Sequence, residues 1–264
     1  MKRRDFVKAS IGFSTTLLIS RKVSETIAGV LAVNDESNKF SAYKPGETIS
    51  PDAFVIAQDL NQHLVLSLCR NSGAVVNMLY IFGGGAIDNK DKLGGIWCSD
   101  SFEDLQIVRY INTKYEVEPV KIIPVACAPV YSSQYYGLEK SVFLDEPDSS
   151  DKYKDAVQKF IKSTNESVEA GYIPIQPYFD LRLRLLFNRD EDLKPGEGYG
   201  EIYPWQGKFR ADEETQKYGV PTIWFLNSEG VVLEPPLRGN FYNSDPYEIN
   251  YTIVDVDKIL GKYL

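Results

Sequence analysis

The sequence predicts an α/β fold, and three observations carry that expectation. Residues 74–82 and 120–127 are mainly apolar runs of strand length, the pattern of strands buried on both faces of a parallel sheet. Between them, Phe102, Leu105, Val108, Ile111 and Tyr115 recur at three- and four-residue spacing, an apolar stripe on a helix over about 99–115. Strand, helix, strand in that order is a βαβ unit with a right-handed crossover. Further on, 218–226 reads as a strand, Asn227-Ser228-Glu229-Gly230 as a hairpin turn, and Val231-Val232-Leu233 as the return strand.

The other elements follow in chain order. Residues 1–32 are set apart as an export signal and 33–50 as a polar linker with a Pro45-Gly46 turn. Phe54-Val55-Ile56-Ala57 and Leu64-Val65-Leu66-Ser67-Leu68 read as a short strand pair, with a turn after them at Asn71-Ser72-Gly73. Gly83-Gly84-Gly85 opens a loop reaching Gly95; no Gly-Lys-Ser/Thr follows, so it is not read as a phosphate cradle. Asp100 and Glu103 have the spacing of a capping box. Residues 151–170 form a polar amphipathic helix, 171–215 are irregular and rich in Gly, Pro and aromatics, and 254–264 form a last short helix. The domain proper is expected over 51–264, with an insertion at about 131–211.

Composition narrows the chemistry. The chain has 264 residues, with 29 Lys and Arg against 37 Asp and Glu, a net charge of −8 that disfavours nucleic acid as a partner. His63 is the single histidine, which opposes histidine triads and His-rich metal sites and is itself read as a surface or core residue. Cys69, Cys98 and Cys127 allow at most one bridge. No metal and no cofactor is expected. Asp145, Glu146, Asp148 and Asp151 lack the spacing of a calcium loop and read as a solvated acidic stretch.

The first residues, Met1-Lys2-Arg3-Arg4-Asp5-Phe6-Val7-Lys8, resemble the twin-arginine export signal, with Arg3, Arg4 and Phe6 at its defining positions. Ile11–Ile19 is too short and polar for a stable membrane span, and Thr26-Ile27-Ala28 and Val30-Leu31-Ala32 are candidate cleavage sites. The resemblance implies a periplasmic or extracytoplasmic protein with no stable span once the signal is cut. The alternative is a basic amphipathic first helix.

Trp97-Cys98 at a strand-to-helix junction, and Gly219-Val220-Pro221-Thr222 before a strand and hairpin, resemble the thioredoxin superfamily in its redoxin branch. The strand pair at 54–73 resembles that branch's N-terminal extension. The resemblance covers roughly 50–130 and 212–264. It implies a central mixed sheet flanked by helices, a reactive thiol at Cys98, and a cis-proline at Pro221. Trp97, Val220, Pro221 and Thr222 would then form the surface that meets a protein thiol or disulfide, or a small peroxide. The family dithiol is Cys-x-x-Cys, whereas this chain has Cys98-Ser99-Asp100-Ser101. It also lacks the Pro and Thr that peroxiredoxins place before their reactive cysteine.

A helix N-terminus favours the thiolate, and Asp100, Glu103 and Asp104 oppose it. Cys98 is therefore read either as a nucleophile or as a small buried apolar residue. Cys127 ends the second strand of the βαβ unit, on the edge that Cys98 occupies, so it is either a resolving thiol or a space-filling residue. Cys69 is read as structural. Three functions stay open: a thiol-disulfide oxidoreductase or thiol peroxidase using Cys98 and Cys127; a non-catalytic binding protein using the aromatics of 172–209; and a copper-handling protein, opposed by the missing second cysteine and the lone His63.

Overall fold

The computed structural model describes residues 42–84, 96, 98–127, 151–180, 208–209, 211–212, 217–218, 220–239 and 251–264. All of them belong to one unit, Phe40–Leu264. The signal residues Arg3, Arg4 and Phe6 lie outside the described residues, as do Trp97 and the acidic stretch at 145–148.

The elements are β1 (Phe54–Ile56), β2 (Gln62–Leu64), α1 (Val65–Asn71), β3 (Val76–Gly83), α2 (Ser99–Lys114), β4 (Val120–Cys127), α3 (Asp151–Glu169), β5 (Tyr178–Asp180), β6 (Ala211–Asp212), β7 (Lys217–Tyr218), β8 (Thr222–Leu226), β9 (Leu237–Arg238) and α4 (Ile253–Leu260). Seven strands form one mixed sheet in the order β2-β1-β5-β4-β3-β8-β9. β3 runs parallel to β4, and β4 to β5, while β8 lies antiparallel to β3. The expected βαβ unit is β3-α2-β4. A second, β4-α3-β5, steps across the sheet in the same direction. Right-handed crossovers in one direction put their helices on one face, and the packing agrees. Leu105, Val108 and Ile111 of α2, Phe160 and Ile161 of α3, and Val256 and Leu260 of α4 share one core with Met78, Tyr80 and Phe82. Leu79 and Ile81, pointing the other way from β3, join Val65 and Cys69 of α1 in a second core.

Four expectations are corrected. Residues 65–71 are helical rather than strand: Val65 and Cys69, four apart, are both buried, and an apolar run this short fits either period. The last part of the supposed linker belongs to the domain. Gly46 donates to the Val232 carbonyl at 2.8 Å, Val232 to that of Glu47 at 2.9 Å, and Ile49 to that of Gly230 at 3.0 Å. The side chains of Tyr43 and Ile49 are buried in the second core. The region read as insertion contributes to the main sheet, because β5 lies between β1 and β4. Finally, Cys98 is the N-cap of α2, which puts Asp100 and Glu103 inside the helix rather than at a capping box. A carboxylate does close the start of α4, where Asp255 accepts from the N–H and hydroxyl of Thr252.

The aromatic stretch divides between the two cores and the surface. Phe179 is in the first core, edge-on to Phe160. Phe209 is in the second, where its carbonyl accepts from the Trp224 indole at 2.7 Å. Tyr172 is exposed against Phe102. Tyr199, Tyr203 and Trp205 lie outside the described residues.

Candidate functional site

Both parallel strands β3 and β4 end at the same edge, with Gly83 opposite Cys127. α2 begins above that edge, so the site sits at the carboxyl ends of parallel strands, where α/β proteins collect their chemistry. Cys98 has extended backbone angles, φ −102° and ψ 118°, and its carbonyl accepts the first helical bond from Phe102 at 3.1 Å. Its thiol is half-buried and points at the loop before β8, where it donates to the Val220 carbonyl at 3.6 Å. The Val220–Pro221 bond is cis, as the resemblance implied. Val220, Pro221 and Thr222 are buried. The Pro221 carbonyl accepts from Gly239 at 2.9 Å, which ties this loop to the end of β9.

Burial pushes the Cys98 thiol above its ordinary range. The Ser101 hydroxyl and the Ser101 and Asp100 N–H groups draw it down, without closing a cap hydrogen bond, while the Asp100 carboxylate pushes it up. The helix terminus thus acts in the expected direction, but taking a sulfur anion out of water outweighs it. Burial therefore opposes ionisation of this thiol, which donates to a backbone carbonyl.

Beneath Cys98 lies a buried polar group that sequence reasoning did not assemble. Ser101 is fully buried; its Oγ accepts from the Gly83 N–H at 3.0 Å and its carbonyl from the Tyr80 hydroxyl at 3.1 Å. Asp104, also fully buried, accepts from the Tyr251 hydroxyl through Oδ2, while Oδ1 has no hydrogen-bond partner. Burial holds the Asp104 carboxyl well above the usual carboxylate range, and Asp100 and Glu103 add to it. The one available signal was Ser101 standing where a Cys-x-x-Cys pattern has its second cysteine. Nothing in the spacing linked Asp104 to Tyr251, 147 residues away.

No disulfide is present among Cys69, Cys98 and Cys127. Cys127 is buried in the second core, against which Cys98 also packs. Cys69 is buried in α1, its thiol pushed up to about 12 by burial. The His63 ring lies 5.6 Å from that of Tyr178, at the β1–β2 side of the sheet. Among the described residues no group of three or more His, Cys, Asp or Glu is placed to hold a metal ion. None of their helices is long and apolar enough to cross a membrane.

No family model matches the sequence, and no curated protein matches it. Solved structures align with this chain at low identity. A thiol:disulfide interchange protein of the thioredoxin family from Chlorobium tepidum TLS aligns at 12% identity and TM-score 0.40, over 84% of this chain and 99% of its own. MTB dsbF, in mixed oxidized and reduced forms, aligns at 12% and 0.39, over 82% and 100%. A PrxQ mutant from Xylella fastidiosa aligns at 8% and 0.35, over 84% and 98%. In this chain itself, the mixed sheet flanked by helices, the thiol at the start of α2 and the cis-proline before β8 make up a thioredoxin-like fold.

Proposed function

We propose that the chain is a thiol-disulfide exchange protein whose nucleophile is Cys98. The observation that carries this reading is the half-buried thiol at the α2 N-terminus, 3.6 Å from the carbonyl of the cis Val220–Pro221 bond. In the reaction the Cys98 thiolate attacks one sulfur of a partner disulfide. A Cys98–partner disulfide forms, the original S–S bond breaks, and the other sulfur leaves with the electron pair and takes a proton from water. A second thiolate then resolves the mixed disulfide: Cys127 attacking the Cys98 sulfur would form a Cys98–Cys127 disulfide and release the partner as a thiolate, whereas an outside thiolate attacking the partner sulfur forms a disulfide with the partner and releases the Cys98 thiolate. Ser101 cannot perform that step, because a hydroxyl forms no disulfide. The Val220–Thr222 loop is the surface that meets the partner chain.

Burial raises the Cys98 thiol above its ordinary range, which opposes thiolate attack on a disulfide and on a peroxide alike. The test is an aromatic disulfide reagent followed by mass mapping. A mixed disulfide on Cys98 that is absent in Cys98→Ser supports the reading, and reaction of the Cys98→Ser chain at the wild-type rate rejects it. From Arg3, Arg4 and Phe6 we also propose export by the twin-arginine route. Retention of the chain in the cytoplasm, unchanged by Arg3→Lys with Arg4→Lys, would reject that.

A further inference from the structure

β1 lies antiparallel to β5, with Ile56 opposite Phe179. The residues after Ile56 therefore lie toward the start of the parallel strands, away from the edge that Gly83, Cys127 and Asp180 share. There the turn before β2 and the second half of α3 enclose a groove of about 500 Å³, a volume typical of small-molecule sites. Leu60 lines it with φ at 69°, a left-handed angle that glycine or asparagine takes readily and leucine does not. The turn is closed by backbone alone: Leu60 donates to the Ala57 carbonyl at 3.0 Å and Ala57 to that of Asn61 at 2.8 Å. A strained leucine, 38% exposed, serves neither this turn nor the core. With Ile161 it gives the groove an apolar lining.

The polar groups around that lining are held in place. Asn165 Oδ1 accepts from Gln58 Nε2 at 3.1 Å and from Gln176 Nε2 at 3.0 Å. Both its lone pairs are taken, so Asn165 offers its NH2 as a donor, and Gln58 offers its carbonyl oxygen as an acceptor. Lys162, Asn165, Glu166 and Glu169 share one helical face along the groove. Asp59, Glu166 and Glu169 against Lys162 disfavour an anionic ligand, and no described group of three His, Cys, Asp or Glu is placed to hold a metal. Fixed donors and acceptors set around an aliphatic lining suit a ring with an apolar C–H face and hydroxyls that each give and receive a hydrogen bond. We propose that this groove binds a hexose, its C–H face on Leu60 and its hydroxyls on the amides of Gln58 and Asn165. The site is independent of the exchange chemistry at Cys98.

The test is saturation-transfer NMR on the full chain with glucose, galactose and mannose, and with the 6-phosphate of whichever binds. At least one hexose receives saturation, strongest at its ring C–H protons, and its phosphate binds more weakly. Leu60→Gly takes the turn angle without strain and removes the apolar lining. Asn165→Asp keeps the acceptor for Gln58 and Gln176 and removes the donor. Each raises Kd about tenfold, the scale of one lost apolar contact or hydrogen bond. Should Leu60→Gly loosen the turn, Leu60→Asn takes the same angle and gives the same loss. Transfer to none of the hexoses, equal or tighter binding of the phosphate, or a wild-type Kd in the variants overturns the proposal. Cys98→Ser keeps hexose binding and Leu60→Gly keeps disulfide exchange, so the two readings fail separately.

Discussion

Gly239→Ala tests how tightly the proline loop is held against the site. A Cβ at residue 239 would lie 2.6 Å from Pro221 Cδ and 2.9 Å from Cγ. Carbon atoms in contact normally stand about 3.5–4.0 Å apart, so the overlap is close to 1 Å. The pyrrolidine ring is closed on its own backbone and cannot swing aside as a long side chain would. Relief must come from moving the backbone at 220–221 or at 239, which also strains the Gly239–Pro221 hydrogen bond of 2.9 Å. Overpacking of this kind costs about 1–3 kcal/mol. The Val220 carbonyl moves with the ring, away from the 3.6 Å contact with Cys98. The expected result is a lower urea midpoint together with a several-fold change in the rate of disulfide exchange. Gly73→Ala is the control. Its φ of +70° strains an alanine by about 1 kcal/mol, but nothing lies within 4 Å of the added carbon, and exchange is unaffected. Wild-type stability and wild-type exchange in Gly239→Ala would refute the reasoning.

Two further outcomes follow from burial. Burial holds the folded Asp104 carboxyl well above the ordinary carboxylate range, near pH 4, in which the unfolded chain releases its proton. Its contribution is full below that range and is lost as pH rises toward the folded value. Asp104→Asn keeps an acceptor for Tyr251 and removes the titration. Urea midpoints of the two chains should converge near pH 4 and separate in favour of the variant by pH 8; a constant difference would count against a neutral buried Asp104. Ile49→Ala should cost about 2–5 kcal/mol, the range for a fully buried aliphatic side chain, because residue 49 is core rather than linker. Thermal melting that leaves Tm unchanged would return residues 42–50 to the linker.

The long apolar strands were legible because burial on both faces writes an unbroken run. β3 is buried along its whole length, and β4 buries its last six residues. α2 was legible from its stripe, and the proline loop from the Gly-Val-Pro-Thr segment before a strand. Short elements were not. Leu64–Leu68 satisfies either period, and only the shared burial of Val65 and Cys69 shows the helix. β5 is three residues long, and what makes it a strand is its pairing with Val125, Ala126 and Cys127, fifty residues earlier. The arm at 42–49 is polar in sequence because one edge of it carries backbone bonds rather than apolar side chains. At the site, Cys98 and Pro221 were readable one at a time. Its electrostatic balance was not, since desolvation depends on how far the folded chain covers the sulfur. The pairing of Asp104 with Tyr251 joins parts of the chain with no shared periodicity.

The most direct test of the account is to capture the reaction at Cys98. The full chain is treated with an excess of a peptide disulfide, quenched in acid and mapped by mass, beside Cys98→Ser and Cys127→Ser chains. The account predicts one peptide joined to Cys98, with Cys69 and Cys127 unlabelled, and no adduct in Cys98→Ser. An adduct on another cysteine at equal rate, or none on Cys98 at any pH up to 9, would contradict it.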